Sequence, residues 1–214
     1  MNQHSSDITT IVFDLDGTLY HNRGLAEEIM ATAEDLISHS RGMTLKEARK
    51  LLQSAKTALA ETLDEEPTLT RSCQELGIEV RDLHRAFQAR LRPERYLNYD
   101  PVLQALLDSL REYCSLHIYT NNNLPLTRKI LALLGVDELF DGLYTIEYRW
   151  QPKPDLETLQ SLMSEIGGPP QSFLFVGDRR QVDLQLPEQL GALTLEVGET
   201  AELLQVHKLL GILP

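Results

Sequence analysis

Basic residues are scarce in this 214-residue chain: 20 Lys and Arg stand against 32 Asp and Glu, a formal net charge of −12. That balance excludes a nucleic-acid backbone or an anionic membrane as a general partner, because the summed field repels polyanions. An anionic substrate must then be captured by local cations or a metal. Cysteine is nearly absent. Cys73 and Cys114 make neither a disulfide framework nor a CxxC pair, which suits buried thiols in a reducing compartment. No apolar run approaches the roughly 18 residues of a membrane span. The opening MNQHSSDITT has no basic segment leading into an apolar one, so no signal peptide is expected. The six histidines show no HExxH spacing and are read as surface or packing residues. With 42% hydrophobic residues there is material for one good core and a smaller second lobe. A soluble cytoplasmic protein is the expectation; oligomeric state is not legible.

Four short apolar runs read as strands: ITTIVFDLD, SLHIYT, SFLFVGD and ALTLEV, with LFDGLYTI as a weaker fifth. Helical patterns separate the later ones, which predicts a parallel sheet covered on both faces. In DPVLQALLDSLREY, Asp100 is placed to cap the helix, Pro101 to open it, and Leu103, Leu106, Leu107 and Leu110 share a stripe. LPLTRKILALLG and KPDLETLQSLMSEIGG end on Gly135 and Gly167, as helices do. The stretch from about 22 to 95 differs in having helical spacing and no strand. Its apolar stripes run through Leu25, Ile29, Ala33, Leu36 and Ile37, then Leu45 to Leu59, then Val80, Leu83, Phe87 and Leu91. Thr44 and Glu47 make a capping-box pair. A split arrangement is expected, with residues 1–20 joined to 96–214 as an α/β core and 21–95 inserted as a helical cap.

In doubly wound sheets ligands sit beyond the carboxyl ends of the strands. Past the first run stand Asp14 and Asp16; past the second, Thr120 and then Asn121, Asn122 and Asn123; in the WQPKPD loop, Lys153; past SFLFVG, Asp178 and, five residues on, Asp183. A lone aspartate after a strand is ordinarily a cap or a turn former. A set of carboxylates, a hydroxyl and an ammonium at one sheet edge is different.

These four motifs, DLDGTLY, IYTNN, KPD and GDRRQVD, resemble in order and separation those of the haloacid dehalogenase (HAD) superfamily, in the branch with a helical cap after the first motif. The likeness covers nearly the whole chain outside the cap. It implies a Rossmann-like core and a phosphatase that works through an aspartyl-phosphate on Asp14. It further implies a Mg²⁺ ion held by Asp14, the backbone carbonyl of Asp16 and Asp178, with Asp183 bound directly or through water. Asp16 would serve as general acid and base. Thr120 and the Asn121 N–H would bind phosphoryl oxygens, and Lys153 would offset charge on phosphate and nucleophile. The metal answers why Asp14 and Asp16 tolerate one another.

Tyr20, His21, Asn22 and Arg23 lie where the resembled family's flap meets the cap and are candidates for substrate contact. Trp150 is a candidate for the entrance and Arg179 for an anionic substrate, each with an ordinary packing or surface role as the alternative. The expected partner is a small phosphorylated metabolite, a nucleoside monophosphate or sugar phosphate. Related dehalogenases lack the second aspartate, so Asp16 speaks against carbon chemistry. A phosphosugar mutase and an inactive phosphate-binding protein stay open. A receiver domain is rejected, because its first acidic pair is adjacent and no helical insert follows.

Overall fold

The computed structural model describes residues 8–63 and 67–212; the opening MNQHSSD, on which the absence of a leader was read, lies outside them. The chain begins with strand β1 (Thr10–Phe13) and then enters four helices: α1 (Arg23–Arg41), α2 (Leu45–Leu63), α3 (Leu69–Glu75) and α4 (Val80–Arg90). It continues through α5 (Pro101–Arg111), β2 (Ser115–Tyr119), α6 (Leu124–Leu134), β3 (Gly142–Tyr144), α7 (Leu156–Ile166) and β4 (Phe173–Gly177). It ends with α8 (Gln185–Gln189), β5 (Leu193–Glu196) and α9 (Leu204–Leu209). A π-helical turn, Arg180–Leu184, leads into α8.

The five strands form one fully parallel sheet in the order β3-β2-β1-β4-β5. β1 lies at the centre, and its neighbours β2 and β4 lead outward in opposite directions. That reversal leaves a crevice at the carboxyl ends of the central strands. Alternation along each strand divides the core between two faces. Ile11, Phe13, Leu116, Ile118, Leu174 and Val176 point to one side, under α5 and α6. Val12, Phe173 and Phe175 point to the other, with Leu159, Leu162 and Met163 of α7.

Local signals set the helix ends. Asp100 accepts hydrogen bonds from the N–H groups of Val102 and Leu103, each at 3.0 Å, and all four leucines of the α5 stripe are buried. Gly135 and Gly167 follow α6 and α7 with positive φ. The Thr44–Glu47 box forms, with the Glu47 carboxylate 2.8 Å from the Thr44 N–H. Leu45 departs from its expected stripe. It sits at the first helical position and is 52% exposed, while Ala48, Leu52 and Ala55 carry the packing.

α1 to α4 pack on one another, and α4 also touches α6. Helix α3 is an addition to the three expected in the insert; at 7 residues it is too short to show a periodic stripe. Its cap is legible after the fact: Thr68 accepts from the Arg71 N–H at 3.2 Å. Both cysteines are buried and free, and burial raises their thiols out of the reactive range. Among the described residues no helix is long and apolar enough to cross a membrane.

Leu107 has no exposed surface and faces the sheet from α5. Leu107→Ala is therefore expected to lower stability by about 2–5 kcal/mol in urea unfolding; a loss well below that range would mean the α5–sheet layer is not the core described here.

Candidate active site

Strand ends deliver the polar groups. The Asp14 N–H donates to the Val176 carbonyl at 2.8 Å, so the chain is still held against β4 when Asp14 emerges from the sheet. Gly17 then adopts φ +90°, and a β-carbon there would overlap the Asp178 carboxylate. Only glycine satisfies both demands. Asp178 follows β4 directly. Asp183 comes from the π-helical turn and lies against Gly177, where a β-carbon would stand 2.9 Å from its carboxyl carbon.

Lys153 is the hub. It is 2% exposed, and its ammonium donates to Asp14 Oδ1 at 2.6 Å, Asp183 Oδ1 at 2.6 Å and the Tyr119 carbonyl at 2.8 Å. These are all the protons an ammonium has to give. The loop that carries it is positioned from β2: the Lys153 N–H donates to Asn121 Oδ1 at 2.7 Å. Thr120, directly after β2, is buried and accepts from the Asn122 N–H at 3.1 Å. Thr18 donates to Asp14 Oδ2 at 3.3 Å.

Asp16 is held from two sides. The Tyr20 hydroxyl donates to its Oδ1, and Asn122 Nδ2 donates to its Oδ2 at 2.5 Å. Asn122 is a contributor that sequence reasoning did not assign. Its signal was present in the asparagine triplet beyond β2, whose members do three different things. Asn121 positions the lysine loop. Asn122 holds Asp16. Asn123 caps α6 through the Leu126 N–H and donates to the His84 carbonyl of α4.

One carboxylate oxygen each from Asp14, Asp178 and Asp183 lies within 4.8 Å of the other two. With Asp16, four carboxylates stand around a single ammonium, and Lys153 cannot neutralise them all. Burial raises the Asp14 carboxyl to about 8 in spite of Lys153, with Asp183 and Asp16 adding to the rise. Burial and Asp183 raise Asp178 to about 6, and burial raises Asp16. The lysine moves the opposite way: Asp14 and Asp183 lift it above its usual value against its own burial. Surplus negative charge carried by hard oxygen donors is the donor set that a divalent cation such as Mg²⁺ fits.

These groups floor a cavity of about 600 Å³, roofed by α1, α3 and α4. Tyr20, His21, Asn22, Arg23 and Arg179 line it, as do Asp14, Asp16, Thr120, Asn121, Lys153, Asp178 and Asp183. Trp150 stands apart from that lining. Its ring lies under the Arg81 guanidinium at 4.8 Å, and its backbone holds φ 58°, with the N–H donating to the Ile146 carbonyl. The packing alternative describes it better than the entrance. Arg23 is ion-paired with Glu27 at 2.8 Å.

The family model for haloacid dehalogenase-like hydrolases matches residues 8–191. Among curated proteins, the chain is 27% identical to pyrophosphatase PpaX of Bacillus velezensis, over 90% of this chain and 84% of that one. It is 29% identical to a phosphoglycolate phosphatase of Cereibacter sphaeroides, over 85% and 81%. Among solved structures, the HAD-hydrolase YfnB of Bacillus subtilis bound to magnesium superposes with a TM-score of 0.57 at 17% identity, over 95% of this chain and 99% of that one.

The charge surplus has a consequence for stability. Asp14 at about 8 and Asp178 at about 6 hold protons in the folded state that unfolded carboxyls, near 3.8, have released. The folded protein thus binds more protons between about pH 4 and 8, and stability falls as pH rises through that window. Thermal melts with a chelator present should drop from pH 5 to pH 8, and Mg²⁺ should restore more at pH 8, where fewer protons have to leave. A melting temperature that rises over this window without metal would contradict the electrostatic picture.

Proposed function

The chain belongs to the haloacid dehalogenase-like hydrolase family, and on that premise we propose that it is a Mg²⁺-dependent phosphomonoester hydrolase. Its substrate would be a small phosphorylated metabolite, of the nucleoside monophosphate or sugar phosphate class. The observation that carries this is the Lys153 ammonium bound at 2.6 Å to both Asp14 and Asp183, beside a second aspartate, Asp16, held by separate donors. Helices α1–α4, within residues 21–95, would act as the cap over the core formed by 1–20 and 96–214.

Asp14, the Asp16 carbonyl and Asp178 would hold the metal, which when bound masks phosphate charge and makes phosphorus open to an anion. Both Asp183 oxygens are engaged, one by Lys153 and the other by the Arg179 N–H at 3.1 Å. Asp183 would hold the ion directly or through water, since each of its oxygens keeps a further lone pair. Thr120 and the Asn121 N–H would bind the phosphoryl oxygens, with Lys153 offsetting their charge.

In the first step an Asp14 oxygen bonds to phosphorus as the ester P–O bond breaks, and Asp16 gives its proton to the departing oxygen. In the second, water attacks phosphorus, Asp16 takes the water proton, and the Asp14–phosphorus bond breaks. The rise imposed on Asp16 by burial suits a group that must arrive protonated. Asn122 and Tyr20 would be positioning residues, keeping Asp16 aimed at the leaving oxygen.

Asp14→Asn is expected to abolish turnover of p-nitrophenyl phosphate with Mg²⁺ binding retained; substantial remaining turnover would defeat the assignment. Asp16→Asn should cost about 10²–10⁴ in rate on an alkyl phosphate and far less on p-nitrophenyl phosphate, whose leaving group needs no proton. Asn122→Ala should reproduce that leaving-group dependence more weakly, through kcat and not KM. Equal losses on both substrates would assign Asn122 to structure alone.

A further inference from the structure

The polar floor accounts for a phosphoryl group, so the opposite wall must receive whatever that group is attached to. Three helices build the wall. α1 contributes Ala26 and Ile29, one turn apart; the entry to α3 contributes Thr68, Leu69 and Thr70; α4 contributes His84 and Phe87, again one turn apart. None of these side chains carries a carboxylate, an ammonium or a guanidinium. Among the described residues of 21–95 that line the cavity, the one cation is Arg23, whose side chain is 93% exposed and paired with Glu27.

His84 stands out within this wall. It is 3% exposed, its ring meets Phe87 edge-on with centroids 5.3 Å apart, and neither ring nitrogen has a hydrogen-bond partner. Burial pushes the imidazole down to about 4, so it is neutral at pH 7 and keeps one donor and one acceptor unspent. The other two buried histidines among the described residues differ. At His207 the Nε2 meets Ser109 Oγ at 2.6 Å, and at His117 only Nδ1 is both buried and unpartnered.

Charge on the floor narrows the leaving group further. Four carboxylates face the Lys153 ammonium and the Arg179 guanidinium, and a bound dication together with the phosphoryl dianion leaves the floor with no net positive charge. A second anionic group placed against the neutral wall would be buried without a partner. We propose, resting on the phosphatase reading above, that this wall selects an uncharged leaving alcohol with an apolar body and a hydrogen-bonding group read by His84. That is the chemistry of a nucleoside, not of the second phosphate of pyrophosphate or the carboxylate of phosphoglycolate. The chain would then differ in substrate from the two curated relatives named above.

The test is kcat/KM with Mg²⁺ for a nucleoside 5′-monophosphate, phenyl phosphate, phosphoglycolate and pyrophosphate, in the wild type and in His84→Phe. The two uncharged leaving groups should exceed the two anionic ones by about 10²-fold. His84→Phe, which keeps an aromatic ring in the wall, should lower nucleoside monophosphate turnover about 10- to 100-fold and phenyl phosphate turnover far less, since its ring offers nothing to hydrogen-bond. Pyrophosphate or phosphoglycolate as the best substrate would overturn the proposal, as would equal losses in His84→Phe on both uncharged substrates. The wild-type ranking decides the charge selection even if the variant fails to fold. Hydrolysis of none of the four would defeat the phosphatase reading, and this proposal with it.

Discussion

A buried ammonium with every proton engaged organises this molecule. Lys153 ties Asp14 from the end of β1, Asp183 from the turn after β4, and the Tyr119 carbonyl at the end of β2. Three neighbouring strands are thereby fixed in relation to one another at their carboxyl ends. A buried lysine is tolerable only under such conditions, since an unpaired charge in that position costs several kcal/mol. The same contacts leave the carboxylates in surplus, and that surplus is a donor set that a divalent cation fits. Stability and chemistry meet here: a site arranged for a cation is strained by its own repulsion when the cation is lacking.

The parallel sheet explains why the groups converge although they lie far apart in the chain. With β1 central and the connections leaving it in opposite directions, the ends of β1, β2 and β4 open onto one crevice. Backbone details finish the placement. The positive φ of Gly17 returns the chain before it strikes Asp178, and the missing side chain of Gly177 admits Asp183. The asparagine triplet then divides the remaining tasks among the lysine loop, Asp16 and the seam with α4. The helical insert brings little charge to the cavity. What it brings is shape, a few hydroxyls and one imidazole.

Most of the fold was legible because its signals are local. Asp100 and Pro101 announced α5, Gly135 and Gly167 marked the ends of α6 and α7, and the apolar runs gave all five strands, including the weak one at Gly142–Tyr144. Helix α3 escaped because so few residues carry no periodicity, and Leu45 was misplaced because a helix's first turn can face water without breaking its pattern. At the site, the motif spacing brought forward the residues that the structure gathers at the floor. Asn122, His84 and Arg81 stayed hidden for a physical reason. Their roles depend on which side chain stands opposite across the fold: Asp16 for Asn122, the cavity for His84, the Trp150 ring for Arg81. Nothing in their neighbouring residues records those partners.

The central claim is that Asp14 itself carries the phosphoryl group between two displacements. The most direct measurement is acid quenching of the wild-type protein during turnover of a phosphomonoester with Mg²⁺, followed by mass spectrometry of the peptide spanning β1 and Asp14. The account predicts a fraction of that peptide heavier by one phosphoryl group, located on Asp14, labile to hydroxylamine and absent when a chelator replaces Mg²⁺. Steady turnover with no such adduct, or with the phosphoryl group on another residue, would contradict it.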